Sequence, residues 1–215
     1  MEKTKVQEAL TTLRSEPKRK FSQTVDLVIT LKGVDMKKPE EQLDFYLPIP
    51  HGIGRKVKIC ALIGPELAEE AKACDKIVME AEFEGYAKDK KKVKKLANEC
   101  DYFVAQANIM PKIATAFGKV FGPKRKMPNP KAGCVVPPKT LLKPLVDKLQ
   151  KTIRIYAKER PVVQVVVGNE SMKDDELVEN ISSLVDQVVH HLPGEINNIK
   201  SVHVKLTMSK PVKIL

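Results

Sequence analysis

The sequence lacks tryptophan altogether, and aromatic residues make up only 5% of its 215 residues. This composition offers few stacking platforms, so it argues against a protein that holds many single-stranded bases. Hydrophobic residues still account for 42% of the chain, which is enough to fill a core. The length fits one large domain or two small ones.

Long apolar runs and closely spaced cysteines are also missing. No run of about eighteen apolar residues could span a bilayer, and the start of the chain, MEKTKVQEAL, lacks the apolar segment of a signal peptide. The cysteines are too far apart for CxxC metal pairs; they are Cys60, Cys74, Cys100 and Cys134. We therefore expect reduced, packing thiols in a cytosolic protein, with neither a metal nor a cofactor.

Positive charge is in clear excess. The chain has 38 lysines and arginines against 27 aspartates and glutamates, a formal net charge of +11. Such a balance indicates an anionic partner, and nucleic acid is the commonest one.

Two kinds of pattern alternate along the chain. Both ends combine helices with alternating strands, as in residues 24–31, which is typical of an antiparallel α+β domain. The middle alternates continuous apolar strands with helices, which predicts a parallel sheet covered on both faces. We therefore predict a discontinuous domain of residues 1–62 and 154–215, into which residues 63–153 are inserted as an α/β domain.

The periodicity also predicts the individual elements. Helices are expected at residues 5–13, 66–73, 88–99, 109–121, 141–149 and 174–191. Strands are expected at residues 24–31, 43–47, 58–63, 77–79, 102–105, 152–156 and 162–167, with a last strand from residue 201.

The C-terminal stretch, residues 201–214, contains the first candidate binding element. Apolar and polar residues alternate from Val202 to Leu206 and then give way to a polar segment, after which Pro211 removes a ladder amide. This predicts a bulge or turn at a sheet edge. Its lysine and hydroxyl groups suit a phosphate or a 2′-hydroxyl, although a turn with a solvated lysine explains the stretch equally well.

A second basic element precedes the strand at residue 24. Lys18, Arg19 and Lys20 are followed directly by Phe21. Cations beside an aromatic residue fit phosphate neutralisation together with a stacking or apolar contact. Taken alone, a solvated charge run with a core phenylalanine is the more frequent explanation.

Two more basic segments lie in the inserted region. Lys124, Arg125 and Lys126 occupy a loop that the following prolines stiffen, which favours a phosphate-contacting loop over a merely solvated one. The lysine-rich run at residues 88–95 is better explained as the solvated face of a helix, whose charge would still attract RNA.

Catalytic motifs are not apparent in the sequence. Residues 52–54, GIG, lack a third glycine and precede a strand, so they fail as a dinucleotide-binding motif. Residues 122–126, GPKRK, lack the spacing of a P-loop. We expect no enzyme; the alternative is a nucleotide-binding enzyme with its site in the cleft between the domains.

Six groups of residues form an ordered pattern over nearly the whole chain. They are Lys20-Phe21 with Thr24-Val25-Asp26; Leu47 with Pro50-His51-Gly52-Ile53-Gly54; Phe103-Val104-Ala105 with Met110-Pro111; Phe121-Gly122-Pro123 with Lys126-Met127-Pro128; Gln164 to Gly168 with Asn169-Glu170; and Val204-Lys205-Leu206-Thr207-Met208. In this order they resemble the ribosomal protein L-one family, in its archaeal and eukaryotic-like form. The resemblance implies a protein of the mobile stalk of the large ribosomal subunit. It also implies a Rossmann-like, three-layer inserted domain.

The resemblance further implies that the discontinuous domain binds the stalk segment of large-subunit ribosomal RNA. The implied contacts are Lys20, Phe21, Thr24, Gln164, Thr207, Met208 and Ser209. Lys205 and Lys210 would neutralise phosphates beside them, and the basic loop with Lys124, Arg125 and Lys126 adds the secondary contacts predicted above. The family usually has glycine where this chain has Ser209. A side chain there would hinder close approach of RNA to the backbone if the position required a positive φ.

The partners follow from the same resemblance. They are the ribosomal RNA stalk, the transfer RNA at the exit site, and in some members the protein's own messenger RNA, whose translation it represses. We expect a cytoplasmic, ribosome-bound protein that is monomeric off the ribosome. A free-standing translational repressor is a third hypothesis, because one RNA site could serve both roles.

Overall fold

A computed structural model describes residues 3–17, 19–138 and 140–215. The chain forms two compact units, each of which is described by itself. Unit 1 comprises Met1–Arg55 and Lys151–Leu215, and unit 2 comprises Lys56–Gln150.

The elements alternate along the chain as follows. They are α1 (Lys3–Arg14), β1 (Thr24–Leu31), β2 (Leu43–Pro48), β3 (Ile59–Ile63), β4 (Lys76–Met79), α2 (Phe83–Lys88), α3 (Lys90–Glu99), β5 (Tyr102–Gln106), α4 (Met110–Phe121), β6 (Val135–Val136), α5 (Leu142–Gln150), β7 (Thr152–Ala157), β8 (Val162–Asn169), α6 (Asp174–His190), β9 (Ile199–Leu206) and β10 (Val212–Lys213).

The unit boundaries differ from the predicted ones at 62/63 and 153/154. The first prediction cuts through β3, all of which pairs in parallel with β4 and β5. The second cuts through β7, which pairs with β2 from Thr152 to Ala157. Because strands belong with their ladder partners, the boundaries move to 55/56 and 150/151.

Unit 1 is built on a four-stranded antiparallel sheet in the order β10-β9-β1-β8. Alternate residues of β1 are buried, from Val25 to Leu31, as the period of two requires. Helices α1 and α6 pack against each other and against the sheet strands. The opposite face of the sheet is only partly buried, and strands β2 and β7 form a separate two-stranded sheet.

Unit 2 is built on a parallel sheet in the order β4-β3-β5-β6. Every residue of β3 is buried, as expected for a strand covered on both faces. Helices α2, α3 and α4 share one apolar cluster with Phe103, and Phe117 and Phe121 lie within it. The mixed architecture, an antiparallel unit plus a parallel one, confirms the predicted fold class.

Two predicted helices in unit 2 are wrong in detail. Residues 66–73 form only the short 3₁₀ turns Pro65–Leu67 and Glu70–Ala73, since this brief crossover must return the chain to β4. The helix predicted at residues 88–99 is divided at Asp89. That residue has an extended backbone, and its carboxylate accepts hydrogen bonds from the amides of Lys91 and Lys92 as the N-cap of α3.

Candidate nucleic-acid interface

The start of β1 and the end of β9 lie side by side at one end of the unit 1 sheet. The Thr24 amide donates to the Thr207 hydroxyl at 3.1 Å, and the two threonine hydroxyl oxygens are also 3.1 Å apart. The register pairs Val25 with Leu206, so the chain entering β1 meets the turn that leaves β9. We call residues 20–24 and 207–210 together the sheet rim.

Gln23 joins the two halves of the rim from beneath. Its side chain is buried, and its amide oxygen accepts a hydrogen bond from the Met208 amide at 3.1 Å. Its backbone exchanges hydrogen bonds with Glu170, whose amide donates to the Gln23 carbonyl at 2.9 Å and whose carboxylate accepts from the Gln23 amide at 3.2 Å. Sequence reasoning missed Gln23, because a glutamine between a serine and a threonine gives no pattern signal.

Two large apolar side chains are exposed at the rim. Phe21 is 50% exposed and Met208 is 61% exposed. Large exposed apolar groups beside hydroxyls and cations are the combination that unstacked bases and sugars require. Lys20 and Lys210 are exposed next to them, whereas Lys18 lies outside the described residues.

Ser209 closes the rim turn. Its hydroxyl oxygen accepts a hydrogen bond from the Leu206 amide at 2.7 Å, and its own amide donates to the Leu206 carbonyl at 3.2 Å. Among the described non-glycine residues only Arg125 and Glu195 have positive φ, so Ser209 does not occupy the strained conformation considered above. Its hydroxyl therefore stabilises the turn, and the prediction that Ser209 hinders the backbone does not apply to this geometry.

Lys205 and Asp26 are paired across β9 and β1 on the open face of the sheet. Burial raises the pKa of Asp26, and the hydrogen bond from Thr24 and the charge of Lys205 offset part of that rise. The carboxylate therefore reduces the positive field that Lys205 presents next to the rim.

Replacing Asp26 with asparagine should stabilise the protein slightly at neutral pH. Because the folded pKa lies above the unfolded one, the fold favours the protonated acid, and this contribution is lost as the pH rises past the unfolded value. The advantage of Asp26→Asn should thus grow between acidic and neutral pH, as urea titrations at several pH values would measure.

The pKa of Asp44 is shifted in the opposite direction to that of Asp26. Burial acts to raise its pKa, but hydrogen bonds from Lys158 and Arg154 outweigh burial and leave the pKa lowered. Its stabilisation is present at neutral pH and is lost as the pH falls through the folded pKa, so Asp44→Asn should lose stability at neutral pH. If the free energy of unfolding changed with pH in the same way in Asp26→Asn and Asp44→Asn, the opposite pKa shifts of the two carboxyl groups would be contradicted.

Gln164 is not brought to the rim. It is exposed on β8 opposite Val28, four positions along β1 from Thr24. At ~3.3 Å per residue this separation is about 13 Å. Of the predicted contacts in unit 1, Gln164 is therefore the outlying one, on the open sheet face.

The predicted secondary contacts lie in unit 2 and differ in their surroundings. Lys126 is half-buried, and its ammonium group donates to the carbonyls of Ala97 and Cys100 at 2.8 and 2.6 Å. It therefore caps the C-terminal end of α3, and two of its three N–H donors already have protein partners. Lys124 donates to the Asn98 side chain, and Arg125 is exposed at the tip of the loop.

The crevice where an enzyme of this architecture would bind a nucleotide contains a hydrogen-bonded side chain. In an open parallel sheet that site lies at the carboxyl ends of the strands where the strand order reverses, here between β3 and β5. The buried Gln106 side chain occupies this position: its oxygen accepts from the Gly64 amide at 3.0 Å, and its nitrogen donates to Glu66 at 3.1 Å. Only a short 3₁₀ turn follows β3, so this first strand-to-helix turn presents no long helix N-terminus to a phosphate group.

Other kinds of site were also examined in the described part of the chain. There, no three histidine, cysteine or acidic side chains converge in a way that could hold a metal ion. Within the same residues, no helix has the length and apolar character needed to cross a bilayer.

Together these features define a protein with a discontinuous antiparallel unit that bears a polar rim and an inserted parallel unit that is strongly basic. The chain belongs to the Ribosomal protein L1p/L10e family, whose profile matches residues 13–210. This confirms the resemblance drawn from the motifs and the expectation that the chain is not an enzyme.

Archaeal relatives match the chain over almost its full length. It is 39% identical to the large ribosomal subunit protein uL1 of Pyrococcus horikoshii over 203 residues, which is 94% of this chain and 90% of the relative. It is 38% identical to the protein of the same name from Methanothermococcus thermolithotrophicus over 216 residues, covering 100% and 99% of the two chains. The corresponding protein of Methanobrevibacter smithii is 36% identical over 204 residues, covering 94% and 93%.

Proposed function

We propose that this chain is a structural protein of the large ribosomal subunit and that its sheet rim binds the stalk segment of the ribosomal RNA. The observation that carries the proposal is the joining of residues 20–24 to residues 207–210 through the Thr24–Thr207 and Gln23–Met208 hydrogen bonds. The names of the relatives, all large-subunit proteins, support the ribosomal role.

The rim has the chemistry that RNA recognition requires. A-form RNA hides its major groove, so proteins read sugars, irregular backbone and unstacked bases. The hydroxyls of Thr24 and Thr207 bond to each other, and the Thr24 hydroxyl also donates to Asp26, so each oxygen keeps acceptor capacity for a 2′-hydroxyl or for an N–H at a base edge. Phe21 and Met208 cover bases, while Lys20 and Lys210 neutralise phosphates.

The proposal also includes finer roles that the family resemblance implies. The protein contacts transfer RNA leaving the exit site, and it binds its own messenger RNA where that message folds like the ribosomal stalk. Lys124 and Arg125 act as secondary RNA contacts, whereas Lys205 contributes charge beside the rim and Gln164 a more distant contact. Off the ribosome the protein is a monomer.

Alanine at Thr207 or at Phe21 should weaken binding to stalk RNA by about 1–3 kcal/mol, because each change removes a direct contact at the rim. Filter binding to the stalk RNA measures this loss. Thr30→Ala is the control for the threonine variant, since Thr30 lies on the same face of β1 as Thr24 but away from the rim. Ile196→Ala is the control for the phenylalanine variant, since Ile196 is 60% exposed and precedes the end of β9 that is opposite the rim. Wild-type affinity in both rim variants would refute the rim assignment.

A translational repressor that acts away from the ribosome is the second candidate function, because the RNA site that we propose could serve both a ribosomal stalk and a messenger RNA of similar shape. Sedimentation of native extracts distinguishes the ribosomal role from the repressor role. A ribosomal protein co-sediments with large subunits, whereas a dedicated repressor co-sediments with messenger RNA alone.

A further inference from the structure

The strongest concentration of positive charge lies in unit 2, whereas the sheet rim belongs to unit 1. Residues 88–126 contain eleven lysines and arginines but only three aspartates and glutamates, in a chain whose formal net charge is +11. Helix α3 carries most of these cations, together with Lys88 just before it.

The electrostatics of α3 are unfavourable for the isolated fold. Its first turn contains Lys90, Lys91 and Lys92 at the positive end of the helix dipole. A single N-cap carboxylate, that of Asp89, faces these three cations and offsets only part of their charge. Lys91 also lies one turn from Lys94 and Lys95, and like charges at these spacings repel. Among the described residues, none of the lysines from 88 to 95 forms an ion pair. A bound anion would relieve this repulsion.

The lysines of α3 point away from the core of unit 2. Val93, Leu96 and Ala97 are buried in the cluster shared with α4. At 3.6 residues per turn, Lys91 and Lys95 fall on the opposite side of the helix, and both are exposed. The fold therefore presents a lysine face to solvent.

The loop at residues 122–126 extends this face. Lys124 donates to the side chain of Asn98 in the last turn of α3, and Lys126 fixes the loop by capping that turn. Two segments that are separate in sequence thus form one basic surface. We call it the α3–loop surface, and it comprises Lys91, Lys94, Lys95, Asn98, Lys124 and Arg125.

We propose that the α3–loop surface binds the phosphodiester backbone of RNA without reading its sequence. This proposal rests on the proposed function only because both take RNA as the partner. Lysines are flexible point charges that suit phosphates and carry no base selectivity. Among the described residues, the large apolar side chains that are exposed all lie outside residues 88–126. The α3–loop surface therefore lacks the apolar anchor of a protein–protein interface. It is also rich in lysine, which the cores of such interfaces contain rarely.

The test uses the full chain carrying Lys91→Gln, Lys94→Gln and Lys95→Gln. The matched control carries Lys72→Gln, Lys131→Gln and Lys143→Gln, three exposed lysines of the same unit outside α3 and its loop. Binding to a single-stranded oligouridylate and to stalk RNA is measured over a series of KCl concentrations. The slope of log K against log salt should fall by about 2 in the α3 variant and remain at the wild-type value in the control.

Equal slopes for the α3 variant and the control would overturn the proposal. So would tighter wild-type binding to polyglutamate than to oligouridylate, because the partner would then be an acidic protein. The melting temperature at low salt should be unchanged or higher in the α3 variant, since repulsion is removed, and this excludes unfolding as the cause of a lower slope.

The rim is tested independently in the same assay. Thr207→Ala should lower the ratio of stalk RNA to oligouridylate affinity and leave the salt slope unchanged, whereas the α3 variant should lower the slope and preserve the ratio. An unchanged ratio in Thr207→Ala would refute the rim alone, and an unchanged slope in the α3 variant would refute the α3–loop surface alone.

Discussion

Replacing Phe117 with alanine is expected to lower the free energy of unfolding of unit 2 by about 3–5 kcal/mol. Phe117 is fully buried at the centre of an aromatic cluster. Its ring meets Phe83 edge-on at 5.3 Å between centroids and lies 5.2 Å from Phe121 and 5.5 Å from Tyr86. Alanine would leave a cavity that these rings cannot close, because the backbones of α2 and α4 hold them in place.

Hydrogen exchange resolved by peptide is the measurement that locates this loss. Peptides from β3, β5 and α4 should lose protection, while those from β1, β8 and β9 should retain it. Phe117→Leu keeps most of the apolar volume and should cost less than about 1.5 kcal/mol. A uniform loss of protection in both units would contradict the prediction and would show that the units unfold as one. Selective stalk binding should survive in Phe117→Ala if the rim in unit 1 is the reader.

Replacing Asn180 with alanine is expected to destabilise unit 1 by about 2–4 kcal/mol, because buried polar groups would lose their partners. Asn180 is fully buried in α6. Its side-chain oxygen accepts from the His51 amide at 3.1 Å, and its nitrogen donates to the carbonyls of Gly52 and Val167 at 2.9 and 3.0 Å. One side chain thus ties α6 to β8 and to the loop after β2.

The control for Asn180 is Gln187→Ala, which removes an exposed amide from the same helix. Urea titration should show a large decrease in the unfolding midpoint for Asn180→Ala and almost none for Gln187→Ala. If the two variants had the same urea midpoint, water would have replaced the lost hydrogen bonds. The loop after β2 would then not depend on Asn180.

Elements with strong periodicity were predicted well from sequence. Strand β1 has the predicted bounds, and α6 ends one residue before the predicted limit, because acidic residues favour its first turn and its apolar face recurs along its whole length. Short elements were missed: α2 has only six residues and β6 only two, which is too few for a period to be visible.

The candidate site was only partly accessible from sequence. Pattern and resemblance selected Thr24, Thr207 and Met208, but nothing in the sequence pointed to Gln23, which hydrogen-bonds to the turn from below. A basic loop stiffened by prolines predicted Lys126 as a phosphate contact, whereas three-dimensional packing also makes its ammonium group a cap of α3. A side chain's partners, and not its type, decide whether its charge is available.

The sequence by itself determined the alternation of antiparallel and parallel patterns, the insertion of one unit into the other and the positive charge, since these depend on local periodicity and composition. Only the tertiary structure decided which residues meet. Thr24 contacts Thr207 across 183 positions because β1 and β9 pair in one register, and Lys124 reaches Asn98 because the loop after α4 folds back along α3. Such contacts are set by strand register and helix packing, which involve residues far apart in the chain.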